Sequence, residues 1–365
     1  MTYKVIGLMS GSSLDGLDIV FAELVFDGKK WQYEILVADC LPYSDDWINK
    51  LQNATRLNAY DYMLLHADYG HYLGQQVNQF IETNNLHYKV SLIASHGHTT
   101  FHDPSKKMTA QLGDGAAIAA ITQLPVVSDL RALDVAFGGQ GAPIVPIGEK
   151  WLLGDHAFFL NLGGIANISF NNDAEYLAFD VCPANRVLNM LSANAGKIFD
   201  EGGQMAASGN INQALFDQLN ELDYYRQPFP KSLANDFGTN IVYPMIKKSG
   251  CSVPDALRTM TEHIAFQIKK SVEELITRQP AQNKSLLATG GGAHNQFLIE
   301  KLREHLSSIN IDVVIPDVQL INYKEALVMA FIGVLRWRQE NNILHTVTGA
   351  SRDSIGGALW IGQQA

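Results

Sequence analysis

A short turn of small residues between two apolar runs constrains this chain more than any other feature. Residues 3–24 read YKVIGLMSGSSLDGLDIVFAEL. The apolar runs over residues 5–9 and 17–24 predict two strands, and the letters between them predict a tight polar turn. Glycine lets a ligand approach the backbone, hydroxyl groups add donors, and Asp15 and Asp18 add oxygen ligands suited to Mg²⁺, so the turn suits a metal-bound polyphosphate. An ordinary hairpin with a polar tip explains the same letters, because serine and glycine serve any turn.

Two later stretches repeat the pattern of an apolar strand that ends in glycine. Residues 156–171 read HAFFLNLGGIANISFN, and residues 285–298 read SLLATGGGAHNQFL, a strand that breaks and continues as a helix. The glycines at these turns are Gly163, Gly164, Gly290, Gly291 and Gly292. Three such turns predict a nucleotide site built from separate parts of the chain. The sequence contains neither a Walker A pattern nor GxGxxG, so it lacks the signatures of P-loop enzymes and Rossmann dehydrogenases.

Two strand hairpins with glycine turns and one strand–GGG–helix are the parts with which actin, hexokinase and Hsp70 hold ATP. We therefore predict an α/β chain with the two-lobed actin-like ATPase (ribonuclease H-like) fold, in which duplicated domains enclose a nucleotide cleft. The glycine-rich loop around residues 138–143 marks the crossing between domains. The predicted N-terminal lobe is residues 1–142, joined by the C-terminal segment of about 343–365, and the C-terminal lobe is residues 143–342.

Composition limits the class of protein and its partners. The chain has 365 residues, of which 47% are hydrophobic and 18% charged, which is enough apolar material for two domains. The net charge of −10 argues against nucleic acid or an acidic membrane surface as partner. Three widely spaced cysteines indicate a reduced, cytoplasmic protein. We expect neither a signal peptide nor a membrane span, because the start MTYKVIG lacks a basic region before an apolar core and no eighteen apolar residues run together.

A polar cluster follows the strand in SLIASHGHTTFHDP. His96, His98 and His102 have the spacing of possible metal ligands, since alternate residues share one face of a strand. No acidic or cysteine partner lies at ligand spacing nearby, which disfavours a metal centre. His96 and Thr99, at a strand end, suit the recognition of sugar hydroxyl groups instead.

A cation and a carboxylate each follow a predicted strand. Arg131 comes just after the strand of residues 126–130, where a guanidinium could meet a ligand carboxylate; pairing with Asp129 or Asp134 is the structural alternative. Asp180 ends a strand that begins at Tyr176 and suits a general base. It could equally be an acidic residue favoured by the dipole of the helix that follows.

The chain resembles one family along nearly its whole length. GLMSGSSLDGLDI is similar to the GLMSGTSLDGVD signature of anhydro-N-acetylmuramic acid kinases, and the family's order continues through SHGHTTFHDP, DLRALDVAFGGQGAPIVP, NLGGIANIS, PKS, GGGAHN and KEA. The resemblance implies the actin-like fold, the use of ATP and Mg²⁺, and a small amino-sugar substrate. It further implies hydrolysis of a 1,6-anhydro bridge and phosphorylation of O6, which gives N-acetylmuramic acid 6-phosphate in peptidoglycan recycling.

The resemblance also assigns roles to particular residues. Asp180 matches the family's base, which activates the water that attacks the anomeric carbon. The positions that match the ATP-binding signature are Gly11, Ser12, Ser13, Leu14, Asp15, Gly16, Leu17 and Asp18. A homodimer is an assembly that the sequence leaves open.

Several positions depart from the family pattern. DTGPGN is here DVCPAN, with Val181, Cys182 and Ala184, and KSTGRE is KSLAND, which replaces the arginine by Asn235. The remaining departures are Ser12 for threonine, His98 for glutamine and Asn189 for aspartate. These changes bear on the exact sugar more than on ATP chemistry. A kinase of a related sugar, and an actin- or Hsp70-like ATPase without a sugar substrate, are the alternatives.

Overall fold

The computed structural model describes residues 1–11, 13–171, 176–229, 231–234, 236–278, 280–281 and 283–363. The chain divides into two compact units, one made of Met1–Leu153 with Tyr323–Ala365 and the other of Gly154–Asn322. We call them unit 1 and unit 2.

Strands and helices alternate along both units. The strands are β1 (Thr2–Ser10), β2 (Gly16–Phe26), β3 (Trp31–Pro42), β4 (Leu92–Asp103), β5 (Met108–Leu112), β6 (Val126–Ser128), β7 (Phe158–Leu162), β8 (Ile165–Asn171), β9 (Tyr176–Pro183), β10 (Ser285–Thr289), β11 (Asp312–Val314) and β12 (Ala358–Trp360). The helices are α1 (Asp45–Asn53), α2 (Ala59–Thr83), α3 (Gly115–Thr122), α4 (Ala132–Ala136), α5 (Pro146–Trp151), α6 (Asn185–Ala193), α7 (Gln204–Ser208), α8 (Gln213–Asn220), α9 (Tyr243–Lys248), α10 (Val253–Arg278), α11 (Gln296–Ser307), α12 (Val318–Trp337) and α13 (His345–Thr348).

The two sheets share one strand order. In unit 1 the described strands run β12-β6-β4-β1-β2-β3, with β5 paired to β4, and in unit 2 they run β11-β10-β7-β8-β9. The first three strands of each unit form an antiparallel meander. In unit 1 the first strand, β1, pairs in parallel with β4, and β4 pairs in parallel with β6. In unit 2 the first strand, β7, pairs in parallel with β10, and β10 pairs in parallel with β11. The duplicated α/β architecture that we predicted is thereby confirmed.

Helix α12 packs against the first sheet through small residues. A Cβ on Gly7 of β1 would collide with the carbonyl oxygen of Ala326, and a Cβ on Gly333 would press against Ala94 of β4. This close approach explains why the boundaries differ from those expected. The structure divides the chain after residues 153 and 322 rather than after 142 and 342, because the helix from Tyr323 onward packs with the N-terminal strands.

Helix α12 is also the one described helix that is long and apolar enough to span a membrane. Its apolar window is 72% buried inside the protein, so it serves as a core helix here. The opposite face of the sheet carries α2 and α3, which pack with Ile6, Leu8 and Ile93 in one apolar cluster.

The helix before β6 is shorter than the sequence suggests. Residues 111–123 have small side chains and predict one helix, but Gln111 and Leu112 finish β5 and α3 begins only at Gly115. Gly113 has φ +114°, which breaks the chain direction, and the Asp114 carboxylate accepts a hydrogen bond from the Ala116 amide as the cap of α3.

Candidate active site

The first glycine turn is closed by one of its own carboxylates. Strand β1 ends at Ser10 and β2 begins at Gly16, and Gly11, Ser13, Leu14 and Asp15 are the described residues between them. The Ser13 hydroxyl donates to Asp15 Oδ1 over 2.6 Å, and the Gly16 amide donates to the same oxygen over 3.1 Å. Ser12, a predicted ATP contact, lies outside the described residues.

Three carboxylates crowd the base of this turn. Asp18 lies on β2 beside Cys40 of β3, whose thiol hydrogen-bonds to it. Burial raises the pKa of Asp18 to about 6, and the negative charges of Asp15 and Glu325 add to that rise. The same burial, with Asp18 nearby, raises the pKa of the Cys40 thiol to about 12. Sequence reasoning missed Glu325, although the KEA segment that contains it was part of the family resemblance.

Three residues predicted to contact ATP also pack within unit 1. The Leu17 side chain is buried in the apolar core, so a ligand could meet only its backbone. Gly16 belongs to β2, where a Cβ would lie 2.7 Å from the Leu41 carbonyl oxygen of β3. Leu14 has φ +59° and packs partly buried against the core cluster of unit 1. β-sheet packing accounts for the residue types at Leu17 and Gly16, and contact of their backbone with ATP stays a prediction.

Unit 2 brings the other two glycine turns together. Strands β7 and β10 pair in parallel up to Asn161 and Thr289, so the glycines that follow each strand lie at the same edge of the sheet. Asn185, the first residue of α6, holds the turn after β7: its Nδ2 donates to the Leu162 carbonyl oxygen over 2.8 Å, and its backbone amide donates to the Gly163 carbonyl oxygen over 3.0 Å.

The glycines of these turns fall into two groups. Gly290 has φ +81°, and a Cβ there would press against the Asn161 side chain; a Cβ on Gly292 would press against Leu162. These two glycines are required by the fold itself. At Gly163, Gly164 and Gly291 a Cβ would make only ordinary van der Waals contacts, as it would at Gly11 of the first turn. The folded chain alone therefore does not demand glycine at the second group.

A row of polar residues crosses the second sheet next to the turns. The strand registers set Thr289, Asn161, Asn167 and Asp180 side by side on β10, β7, β8 and β9. Residues paired in this way point to the same face of a sheet. Sequence reasoning found Asp180 but missed the two asparagines, which the NLGGIANIS segment carries on both sides of its glycine pair.

The Asp180 carboxylate is held on several sides. Asn167 Nδ2 donates to Oδ1, and Oδ2 accepts hydrogen bonds from the Leu233 amide at 2.8 Å and the Ser232 hydroxyl at 3.3 Å. Its backbone is also fixed, because the Tyr224 hydroxyl donates to the Asp180 carbonyl oxygen over 2.6 Å. A carboxylate offers about four acceptor positions, so these three donors orient the group and leave capacity for one more.

Arg131 and His96 are brought together from different strands. Arg131 Nε donates to His96 Nε2 over 2.8 Å, and its Nη1 donates to the Gly141 carbonyl oxygen over 2.6 Å. Burial beside the guanidinium lowers the pKa of His96 to about 3, and burial lowers that of Arg131 to about 10. In the described part of the chain Arg131 forms no salt bridge with Asp129 or Asp134.

Both ring nitrogens of His96 have partners within the protein. The first, Nε2, accepts from Arg131, and the second, Nδ1, lies 2.9 Å from the Gly97 carbonyl oxygen. The contact of His96 with sugar hydroxyl groups stays a prediction. Thr99 is exposed, and its hydroxyl accepts from Gln111 Nε2 at 3.4 Å.

The other two histidines of the cluster bond to hydroxyl groups. His98 Nδ1 lies 3.0 Å from Ser10 Oγ, which accepts a hydrogen bond from the Tyr43 hydroxyl over 2.8 Å. His102 Nδ1 lies 3.0 Å from Thr109 Oγ1. Within the described residues no set of three histidine, cysteine, aspartate or glutamate side chains is arranged to hold a metal ion.

The departures beside Asp180 lie in the core. Val181, Cys182 and Ala184 are fully buried, so their side chains contact protein and not solvent. Burial strongly raises the pKa of the Cys182 thiol, which keeps it neutral. Asn235, the departure at the end of KSLAND, lies outside the described residues.

Comparison with known proteins agrees with this reading of the chain. The family model described as anhydro-N-acetylmuramic acid kinase matches residues 3–362. A protein named anhydro-N-acetylmuramic acid kinase from Synechococcus elongatus is 32% identical, covering 98% of this chain and 99% of that protein. A protein of the same name from Aliivibrio fischeri is also 32% identical, with the same coverage of both chains. The chain is also similar to a solved structure, component A of the (R)-2-hydroxyglutaryl-CoA dehydratase of Acidaminococcus fermentans. The match covers 91% of this chain and 97% of that chain, at 14% identity and a TM-score of 0.46.

These sequence matches place the chain among the phosphotransferases. It belongs to the anhydro-N-acetylmuramic acid kinase family.

Proposed function

We propose that this protein uses ATP and Mg²⁺ to hydrolyse the 1,6-anhydro ring of 1,6-anhydro-N-acetylmuramic acid and to phosphorylate O6, giving N-acetylmuramic acid 6-phosphate for cell-wall recycling in the cytoplasm. The observation that carries the proposal is the Asp180 carboxylate, fixed by three donors within β9 in a chain of this family. Under this proposal the partners are a small amino sugar and a nucleotide, without nucleic acid or membrane. A homodimer stays a prediction for light scattering to test.

The glycine turns support ATP as the phosphoryl donor. Glycine at Gly11, Gly163, Gly164 and Gly291 has no steric reason inside the folded chain, because a Cβ would fit at each position. A ligand that comes within contact of the backbone supplies the missing reason, since any side chain would then stand in its way. Phosphate groups make such contacts with backbone amides.

The carboxylates of unit 1 support Mg²⁺. Asp15 and Asp18 offer oxygen atoms, which are the ligands that this ion prefers, and one or two protein carboxylates with phosphate and water are its usual set. Burial raises the pKa of Asp18, with a smaller contribution from the charges of Asp15 and Glu325, and a bound cation would favour the charged carboxylate. Mg²⁺ held by these residues would neutralise charge on the transferred phosphoryl group.

Asp180 would act as the general base. Its carboxylate accepts a proton from a water molecule as the water oxygen bonds to the anomeric carbon of the sugar. The bond from that carbon to the bridging oxygen breaks, and this oxygen becomes O6. The O6 oxygen then bonds to the γ-phosphorus of ATP, and ADP leaves with the electrons of the broken P–O bond. The donors from Asn167 and Leu233 hold the carboxylate in one orientation throughout.

The residues that differ from the family pattern beside Asp180 are buried, which favours the anhydro sugar over a related sugar as substrate. Val181 and Cys182 differ from the family pattern but face the core, so they do not change which groups meet a substrate. Arg131 keeps donors available for the carboxylate that distinguishes a muramic acid, because two of its five N–H groups are used by His96 and Gly141.

Incubation of the pure protein with ATP, Mg²⁺ and 1,6-anhydro-N-acetylmuramic acid tests the proposal. Mass spectrometry should find a product heavier than the sugar by one water and one phosphate group, and none when Mg²⁺ is chelated. N-acetylglucosamine and its anhydro form, which lack the lactyl carboxylate, should react far more slowly. Nucleotide binding without any sugar phosphate would contradict the proposal, and equal rates on sugars without the lactyl group would contradict the role of Arg131.

A further inference from the structure

One buried histidine in unit 2 has no part in the roles described above. His263 lies in the middle of α10, next to core residues such as Met260 and Ile264, and is 0% exposed. Its Nε2 lies 2.9 Å from the Tyr225 hydroxyl, and its Nδ1 lies 2.8 Å from Asn220 Oδ1. A polar ring in an apolar core destabilises the fold unless both nitrogens have partners, and an apolar side chain would fill the space without that requirement. The ring therefore calls for a reason beyond packing.

The surrounding hydrogen bonds fix where the proton of this ring lies. Asn220 Nδ2 donates to the Phe216 carbonyl oxygen over 2.8 Å, which turns Oδ1 toward α10, and Oδ1 also accepts from Gln267 Nε2 over 2.7 Å. An amide oxygen can only accept, so Nδ1 of His263 carries the proton and Nε2 accepts from the Tyr225 hydroxyl. Burial lowers the pKa of His263 to about 3, so the ring is neutral at neutral pH and keeps this arrangement.

Tyr225 belongs to the turn that holds the backbone of Asp180. It lies in a short 3₁₀ helix, Asp223–Arg226, beside Tyr224. The Tyr224 hydroxyl donates to the Asp180 carbonyl oxygen over 2.6 Å, and the two tyrosine rings meet edge to face with their centroids 5.6 Å apart. The turn is thus attached to α10 through one tyrosine and to β9 through the next.

The segment that follows this turn holds Asp180 on its other sides. The Asp180 amide donates to the Lys231 carbonyl oxygen over 3.1 Å, and the Leu233 amide donates to the carboxylate. Lys231 Nζ lies 4.8 Å from the centroid of the Tyr224 ring and donates to the Tyr224 carbonyl oxygen over 3.3 Å, which ties this segment back to the turn. A shift of the turn would therefore move both the backbone and the carboxylate donors of Asp180.

We propose that His263 is a positioning residue for Asp180: through Tyr225 its imidazole holds the turn of residues 223–226 against α10 and thereby fixes the orientation of the Asp180 carboxylate. This inference rests on the proposed function, in which Asp180 is the general base. His263 touches neither the substrate nor the reacting atoms. A base has to be held within a fraction of an ångström of its productive position, so loss of this support lowers kcat and leaves nucleotide binding intact.

Two replacements of His263 separate its two hydrogen bonds. The amide of His263→Gln reaches the place of Nε2 and can still accept from Tyr225, whereas the amide of His263→Asn reaches the place of Nδ1 and can bond only Asn220. With ATP, Mg²⁺ and 1,6-anhydro-N-acetylmuramic acid, kcat of His263→Asn should decrease at least about tenfold, while that of His263→Gln stays within about threefold of the parent. Tyr225→Phe should behave like His263→Asn. The KM for ATP should change by less than about twofold in all three variants.

Hydrogen–deuterium exchange followed by mass spectrometry measures the position of Asp180 without catalysis. In His263→Asn the peptide that contains β9 should exchange faster than in the parent, because its amide bond to Lys231 loosens with the turn. The peptide that contains β10, in the same sheet, should exchange equally in both proteins.

Replacement of His305 by glutamine or asparagine is the matched control. His305 lies on α11, and its Nε2 lies 2.6 Å from Oε1 of Glu262, the residue that precedes His263 on α10. It thus joins a second helix to the same part of α10 without a bond to the turn. Both replacements should leave kcat within about twofold of the parent, even where they lower the melting temperature.

The outcomes separate this inference from the proposed function. A parent that forms product, with kcat unchanged in both His263→Asn and Tyr225→Phe, would overturn the positioning role and leave the function standing. Equal losses of kcat in His263→Asn and His263→Gln would indicate general packing and would also overturn it. A parent without activity on the sugar would overturn the function; the exchange of β9 then decides the role of His263, which unchanged exchange in His263→Asn would refute.

Discussion

Replacement of Asp18 by asparagine should stabilise unit 1 at neutral pH and abolish phosphoryl transfer. The folded carboxyl has a pKa of about 6, above its ordinary 3.8, so between these values the native protein holds more protons than the unfolded chain. Stability of the parent therefore falls as pH rises from about 4 to about 6 and then levels off. The asparagine variant lacks this titration while keeping a side chain of the same shape.

The size of the effect follows from the same difference. The difference between a pKa of 3.8 and a pKa of about 6 corresponds to about 3 kcal/mol of the free energy of unfolding, at about 1.4 kcal/mol per pH unit. Because Asp18 stays partly exposed, solvent screens its charge, and we expect roughly half of that amount, ~1–2 kcal/mol. Asp15→Asn is the control: Asp15 is exposed, and asparagine keeps the oxygen that accepts from Ser13, so stability should change by less than about 0.5 kcal/mol.

Urea unfolding followed by tryptophan fluorescence measures this directly. All five tryptophans, at positions 31, 47, 151, 337 and 360, belong to unit 1, so the signal reports the unit that holds Asp18. Titrations at pH 4, 5, 6, 7 and 8 with a chelator present should show parent and variant equal at pH 4 and separated above pH 6. Equal stability at pH 7, or a gap that persists unchanged at pH 4, would refute the reasoning.

Three further predictions concern the two units. Asp180→Asn should slow product formation by about 10²–10⁴-fold with nucleotide affinity unchanged, measured by mass spectrometry; a rate within about tenfold of the parent would remove Asp180 as base. Gly290→Ala should lower the free energy of unfolding by about 1–3 kcal/mol, because φ is +81° and a Cβ would meet Asn161, whereas Gly291→Ala should change it by less than about 0.5 kcal/mol. Folding lowers the pKa of His96 from 6.5 to about 3, so the free energy of unfolding should decrease as pH falls through that range. His96→Gln should show a smaller decrease in the free energy of unfolding between pH 7 and pH 4.5. Equal decreases in the parent and the variant would contradict this.

Local patterns in the sequence predicted the strands and turns that carry the site. The apolar runs around residues 5–24, 158–171 and 285–289 became β1, β2, β7, β8 and β10, because each run is bounded by residues that only turns favour. The strand that carries Asp180 was predicted for the same reason, but β9 continues to Pro183, so Asp180 lies within the strand and not at its end. Buried apolar residues recur at spacings of three and four along α10, for example at Leu257, Met260 and Ile264, which is the period of a helix with one buried face.

Contacts between distant residues could not be predicted in this way. Asn167 meets Asp180 through strand register, and Arg131 meets His96 across 35 positions of sequence. Neither pairing leaves a periodic pattern, since it depends on how separate strands align. The domain boundaries differed for a related reason: α12 packs on Gly7 of β1, near the other end of the chain, and no local pattern identifies that partner.

Unit 1 is assembled from both ends of the chain, and this has a consequence for synthesis on the ribosome. Residues 154–322 are contiguous and can complete their sheet while translation continues. The N-terminal strands emerge first but must wait for α12 and β12, which are made last and cover one face and one edge of their sheet. A nascent chain that terminates shortly before α12 would therefore lose the fold of its beginning while keeping that of its middle.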